Sequence, residues 1–298
     1  MAASLKSTTS FRAIHTDGLE DAESREHEYI YQYIEYDEKG NILLEETHIP
    51  EGPVEHKASY RYDPDGRLIE ELLLEEDDFV SEHRTMEYDA KGYLWKERSH
   101  YLDGSYDETV CHYDEEGKLL LKETAGDDGE SGNRVKIEYN DKHPVSEIEY
   151  DADENVVSEK KFEFDEAGNL VSESIKSQDE NYELFHEYDE KGNRSVSKRY
   201  DEQGQLIERS TYSRDEQGKA TQVKEESVTG IEVLNNELDE RGNIIVQETV
   251  TDNDELISRI ERSYDDHDQV VITHVQVVGH GQRPSQDYRI RFEYTYYD

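Results

Sequence analysis

A seven-residue pattern, aromatic-Asp-x-x-Gly-x-aliphatic, returns along almost the whole chain at a nearly constant interval. Full or near-full copies begin at Tyr36, Tyr62, Tyr88, Tyr113, Phe164 and Tyr188. Degenerate copies lie at Tyr139-Asn140, Arg214-Asp215, Leu238-Asp239 and Tyr264-Asp265. The Asp position therefore falls at 37, 63, 89, 114, 140, 165, 189, 215, 239 and 265, in steps of 24 to 26 residues. A period of that length, held over ten copies, marks stacked supersecondary units rather than an ordinary globular core.

The motif has a local physical reading. The Asp side chain hydrogen-bonds its own turn, and a glycine three residues on takes a positive φ without a Cβ clash. Asp-x-x-Gly is thus a type I turn followed by a left-handed glycine, a common hairpin connection with a bulge. The turn residues are Asp37 and Gly40, Asp63 and Gly66, Asp89 and Gly92, Asp114 and Gly117, Asp165 and Gly168, Asp189 and Gly192, and Asp239 and Gly242. Flanking segments alternate with period two, as in Lys136-Ile137-Glu138-Tyr139 and Lys161-Phe162-Glu163-Phe164. Aromatic and aliphatic side chains fall on one face of such a ribbon and charges on the other.

A second, irregular set of connections lies halfway between the motifs, including Pro50–Pro53, Gly126–Gly132 and Asp252–Glu255. Each repeat then holds two strands. The expected fold is all-β: an up-and-down antiparallel meander of about 20 strands of ordinary length, built from β-hairpin repeats of about 25 residues. Strand twist forbids a flat sheet of that width, so it coils as a twisted single sheet or a partly closed shell. The array covers residues 29–298. Residues 1–28 carry no repeat and read as a flexible arm, with a short helix around Leu19–Glu28. Edge strands at the ends of the array offer a route to a homodimer.

Charged residues make up 36% of the chain and hydrophobic ones 33%, yet 22 Tyr and 6 Phe recur at fixed positions and so read as packed. The net charge is −42, from 75 acidic and 33 basic residues. Nucleic acid and anionic membranes would be repelled, and a protein with a basic surface would be attracted. The lone Cys111 excludes an intrachain disulfide framework. No segment approaches the roughly 18 apolar residues of a membrane-spanning helix. No apolar secretory segment is visible at the N-terminus, so a cytoplasmic location is expected.

Candidate chemistry is sparse. The clusters Asp151-Ala152-Asp153-Glu154, Asp252-Asn253-Asp254-Glu255 and Asp265-Asp266-His267-Asp268 lack the spacing of a calcium loop and read as solvated turns. The 12 histidines form no zinc-type pair, and Cys111 and His112 are strand neighbours that point to opposite faces. Paired carboxylates are too abundant to single out a catalytic pair. No catalytic residue, cofactor site or metal site is expected.

The motif as it stands at Tyr62–Leu68 and Phe164–Leu170 resembles the YD repeat of Rhs-type and teneurin-like proteins. The resemblance covers about residues 29–298. It implies a spiralling sheet of hairpins, which in long arrays wraps into a hollow shell around a toxin domain. The array is short for a closed shell. It shows neither the core-associated segment with self-cleavage aspartates nor a non-repeat toxin segment. The resemblance therefore implies the sheet and not toxin delivery. The regular hairpin period also resembles, broadly, small bacterial repeat proteins that act as antitoxins.

Two functions are expected from these readings. The first is a non-enzymatic acidic binding protein, such as an immunity or antitoxin-like protein that neutralises a basic partner. The second is a structural shell or surface scaffold of YD-repeat type that contacts carbohydrate through tyrosine rings.

Overall fold

The computed structural model describes residues 4–14, 28–50, 52–75, 78–279 and 284–298. These residues form 22 strands and no α-helix. In chain order the strands are β1 (Leu5–Ile14), β2 (Tyr29–Tyr36), β3 (Ile42–His48), β4 (Val54–Tyr62), β5 (Leu68–Glu75), β6 (Phe79–Tyr88), β7 (Leu94–His100) and β8 (Tyr106–Tyr113). Then follow β9 (Leu119–Gly126), β10 (Ser131–Tyr139), β11 (Pro144–Tyr150), β12 (Val156–Phe164), β13 (Leu170–Ser177), β14 (Asn181–Tyr188) and β15 (Arg194–Asp201). The last seven are β16 (Leu206–Arg214), β17 (Ala220–Ser227), β18 (Gly230–Leu238), β19 (Ile244–Thr251), β20 (Leu256–Tyr264), β21 (Val270–Val277) and β22 (Gln286–Tyr296).

From β2 to β22 each strand pairs antiparallel with the next. β1 pairs antiparallel with both β2 and β22, so the sheet closes into a barrel. Three sequence-based expectations are corrected here. The sheet is fully closed rather than a twisted single sheet or a partly closed shell, and its 22 strands agree with the expected count of about 20. Residues 5–14 are not an arm but a strand of the wall. No strand is left with an unpaired edge, so the edge that a homodimer would have used is absent among the described residues. The short helix expected around Leu19–Glu28 lies almost wholly outside the described residues.

Parity explains why β1 is needed. In a meander, alternate strands run in the same direction. β2 and β22 therefore run parallel to each other, and a 21-strand array could not close with antiparallel pairing. One further strand of opposite direction restores it, and the sequence supplies it from outside the repeats.

Curvature has a repeating source. Tyr36 faces Ile42, but Glu35 faces Leu44, which leaves Leu43 as an extra residue. The same slip leaves out Ile69, Trp95, Leu120, Val171 and Ser195. Such bulges increase local twist and bend a strand, and they concentrate at barrel rims. Here one follows every motif turn after an aromatic, Arg or Leu, so the sheet is bent at each repeat.

The barrel is a single-layer wall. Its accessible surface is 19348 Å², against about 13,000 Å² expected for a filled globule of this mass. No large side chain is fully buried among the described residues. Hydrogen bonds and ion pairs join neighbouring strands and turns, and none described crosses the barrel. Register also sorts the side chains into two faces, since directly opposed residues share one. One face is the more crowded: Met86, Cys111, Ile175, His186, Thr273 and Val275 all lie on it and are buried.

Candidate functional surface

The ten motif turns line one rim of the barrel. At the first, the Asp37 carboxylate accepts the backbone N–H groups of Lys39 and Asn41, both at 2.8 Å. Its second oxygen accepts the Asn41 side-chain amide at 2.8 Å. Gly40 donates to the Asp37 carbonyl at 3.0 Å and sits at φ +87°. Asp63, Asp89, Asp114, Asp165, Asp189 and Asp239 each accept the N–H of the residue four positions on. Gly66, Gly92, Gly117, Gly168, Gly192 and Gly242 all have positive φ. At the degenerate copy 265–269, Asp268 takes the glycine position at φ +63°.

Two further ties hold this rim together. The motif tyrosine reaches back to the carbonyl of the motif aliphatic residue in the preceding repeat: Tyr88 to Leu68 at 2.8 Å, Tyr113 to Leu94 at 2.9 Å, and Tyr264 to Ile244 at 2.8 Å. Where Arg214 replaces the aromatic, its guanidinium donates to the Arg194 carbonyl instead. Lysines then bridge adjacent turns, as from Lys39 to the Pro64 carbonyl at 2.6 Å and from Lys191 to the Glu216 carbonyl at 3.1 Å. The sequence reading missed the tyrosine tie. Its signal is the recurrence of two motif positions 18 to 20 residues apart.

On the opposite rim, Tyr150-Asp151 and Tyr200-Asp201 repeat the start of the motif, and five connections use its backbone plan, at 101–105, 126–130, 151–155, 201–205 and 251–255. Gly104, Gly129 and Gly204 supply the positive φ in three. Glu154 and Asp254 adopt it at φ 65° and 60°, without a glycine's freedom. The acidic clusters at Asp151 and Asp252 are therefore turns, and among the described residues no group of three metal-ligating side chains comes together.

Charge separates the two rims. The ten motif turns hold 20 Asp and Glu against 8 Lys and Arg. The nine connections of the other rim between β3 and β21 hold 17 Asp and Glu and no Lys or Arg. Asp127, Glu130, Asp153, Asp179, Glu202, Asp252 and Glu255 are all exposed there. Glu202 accepts the Gln203 side-chain amide at 2.5 Å, and the other six side chains make no hydrogen bond or ion pair.

The remaining candidate groups are quiet. Cys111 is buried and its thiol is pushed up by that burial, away from reactivity. His112 points to the other face, where it meets Glu123 at 3.0 Å. His274 is paired with Asp287 at 2.7 Å, and His280 lies outside the described residues.

No family model matches the chain, and no curated protein matches it. Among solved structures, TcdB2-TccC3 without its hypervariable C-terminal region matches 93% of this chain at 13% identity and a TM-score of 0.40. This chain spans 17% of that one. A porin-like protein from Bacteroides uniformis matches 98% of this chain and 98% of its own length, at 8% identity and a TM-score of 0.36. A porin-like protein from Bacteroides vulgatus matches 89% of this chain and 99% of its own, at 13% identity and a TM-score of 0.26. Likenesses at this level carry no conclusion about the role of the chain.

Proposed function

We propose that this protein is a non-enzymatic acidic binding protein that holds a protein with a basic surface, in the manner of an immunity or antitoxin-like protein. The observation that carries the reading is that the nine connections between β3 and β21 hold 17 Asp and Glu and no Lys or Arg of their own, with Asp78 and Glu154 alone among their described carboxylates paired to strand cations, Lys57 and Arg134. Uncompensated charge of one sign, set on a rigid ring, steers a partner of the opposite sign and selects it by complementarity.

A water-filled setting, such as the cytoplasm, is part of the proposal. At mid-strand Glu71, Arg84 and Glu97 share one face of the wall, and Glu70, Arg98 and Glu108 share the other. Whichever face is outward, lipid would meet ionised groups, at about 2–4 kcal/mol for each cation at the bilayer midplane. The resemblance to YD repeats belongs to the same proposal, as kinship in the hairpin unit.

The second reading, a shell or surface scaffold that contacts carbohydrate, is favoured by one feature. Phe185 and Tyr200 meet edge-on at 5.6 Å and line an open cleft with Glu163, Glu183 and Glu187. An exposed Phe185 ring with a half-buried Tyr200 beside carboxylates suits a sugar face.

Affinity capture from native extract at low and at high salt tests the first reading. The expected result is one retained protein of basic surface, released by salt. Recovery of no basic protein at low salt would sink it, and retention on immobilised polysaccharide would favour the second.

A further inference from the structure

The geometry points to the slot between β2 and β22 as a binding site for an extended cationic peptide segment, occupied here by the chain's own β1. The inference deepens the reading of a barrel that holds a basic partner, since the segment that competes for the slot belongs to that partner.

Three observations build it. The first is topological. β2 and β22 run parallel and cannot close on each other with antiparallel pairing, so without β1 the wall has a gap one strand wide with an unpaired edge on each side. An antiparallel strand entering it gains main-chain hydrogen bonds from both neighbours, which is strand addition in its two-sided form. β1 uses that arrangement through nine register positions on β22 and six on β2.

The second is charge. In a chain of net charge −42, the β1 segment Leu5–Ile14 contains Lys6 and Arg12 and no carboxylate. Rings rather than acids hold it. The Arg12 guanidinium lies 4.0 Å from the Tyr288 ring centroid and 5.4 Å from that of Tyr31. Lys6 lies over Tyr297, and Arg291 stacks on Phe11 at 4.2 Å. The Arg12 Nε is buried with no hydrogen-bond partner. A cation between two aromatic faces is a recognition device for a charged side chain.

The third is shape. Ala13, Ser10 and Ser7 are 0%, 3% and 7% exposed, in a molecule whose wall is otherwise largely wetted. The Ser7 hydroxyl meets that of Thr295 at 2.6 Å. Small residues at these three places admit the strand, and larger ones would not fit. The pattern read by the slot is therefore a small residue at every third position, with an arginine just before the last of them. β1 differs from every other strand in its attachment too. It is joined to the barrel through residues 15–28, whereas the motif turns take four or five residues. It also carries no motif that ties it into a rim.

The test uses the full chain with one protease site substituted within residues 16–26. After cleavage, a fluorescent peptide of residues 4–14 is added, and exchange is followed by anisotropy and by release of the resident segment. The expected result is uptake of one peptide per barrel, with an Arg12→Glu peptide weaker by at least about tenfold, equivalent to 1.4 kcal/mol. No exchange over days in a cut barrel that keeps its circular dichroism would overturn the proposal, as would equal uptake of the Arg12→Glu peptide. Should cutting unfold the barrel, the uncut Ser10→Trp chain, whose own β1 no longer fits, decides in its place. Saturable uptake of the wild-type peptide supports the slot, and none overturns it. A dimer of the uncut chain that exchanges labelled β1 between copies would assign the slot to a second copy and overturn the partner segment. None of these outcomes depends on which protein the acidic rim captures.

Discussion

At the motif rim, Lys and Arg stand among the turn carboxylates; in the nine opposite connections between β3 and β21, none does. Asp37 accepts three hydrogen bonds within its own turn. Lys39, Lys118 and Lys191 reach from one turn to a carbonyl of the next. On the other rim Asp151 accepts the same kind of turn bonds from Asp153 and Asn155, while the more exposed carboxylates of Asp153, Asp179 and Asp252 bind no neighbour. Both rims are made of similar hairpins, so folding alone does not require the second set. A charge with no internal role is the better candidate for an external one.

Reversing charge on each rim in turn breaks or sharpens that contrast most strongly. Asp127, Asp153, Asp179 and Asp252 changed together to Lys should weaken capture of the basic partner by at least about tenfold, or 1.4 kcal/mol. The same four reversals at Glu38, Glu115, Glu166 and Glu240 on the motif rim should change it by no more than about threefold, as expected for charges distant from an interface. Titration of the captured protein against both variants measures the difference. Equal losses would mean that total charge, not the rim, attracts the partner.

Glycine geometry gives a smaller effect of opposite sign on the two rims. Gly192 sits at φ +81° with open space where a Cβ would go, so Gly192→Ala should cost about 1–2 kcal/mol through the backbone alone. Glu154 holds the equivalent conformation at φ 65° with a full side chain. Glu154→Gly should therefore gain up to about 1 kcal/mol, because its exposed pairing with Arg134 contributes little. Urea unfolding of both variants checks the pair of signs.

The tyrosines differ in the same way. Tyr264→Phe removes a hydroxyl that donates to Ile244 and should cost about 1 kcal/mol. Tyr150 and Tyr200 open the matching turns on the other rim, where no hydroxyl tie to a preceding repeat is made. Tyr150→Phe should leave stability within about 0.5 kcal/mol of the parent, the usual range for a surface change.

Much of this contrast was legible in the residues. The period of Asp37, Asp63 and Asp89 declares hairpins because a type I turn with a left-handed glycine has few sequence solutions. Closure was not legible, for two physical reasons. The extra residue after each motif turn, such as Leu43 or Trp95, looks like one more strand residue and shows itself only in register. β1 carries none of the repeat's markers, and Ser-Thr-Thr-Ser reads as an arm. Only the parity of the array requires it. The acidic rim lay in plain view as carboxylates, but sequence spacing cannot tell which of them a turn consumes.

Acid should separate the consumed carboxylates from the idle ones, with the smallest effect of the series. The Asp63 carboxyl is held below its ordinary value chiefly by the backbone N–H of Arg67, and Asp189 and Asp239 by those of Asn193 and Asn243. A folded-state value below the unfolded one stabilises the fold fully above the ordinary carboxylate range. That contribution fades as pH falls through the lowered values. The parent's advantage over Asp189→Asn should thus be constant above about pH 5 and shrink toward pH 2. Asp179→Asn removes an exposed carboxylate that makes no turn bond and serves as the charge-matched control. Denaturant midpoints measured across that range for the three proteins would decide it. A parent advantage over Asp189→Asn that persists undiminished at the acid end would mean that the turn is held by its backbone alone, and that the motif carboxylates are as idle as those on the other rim.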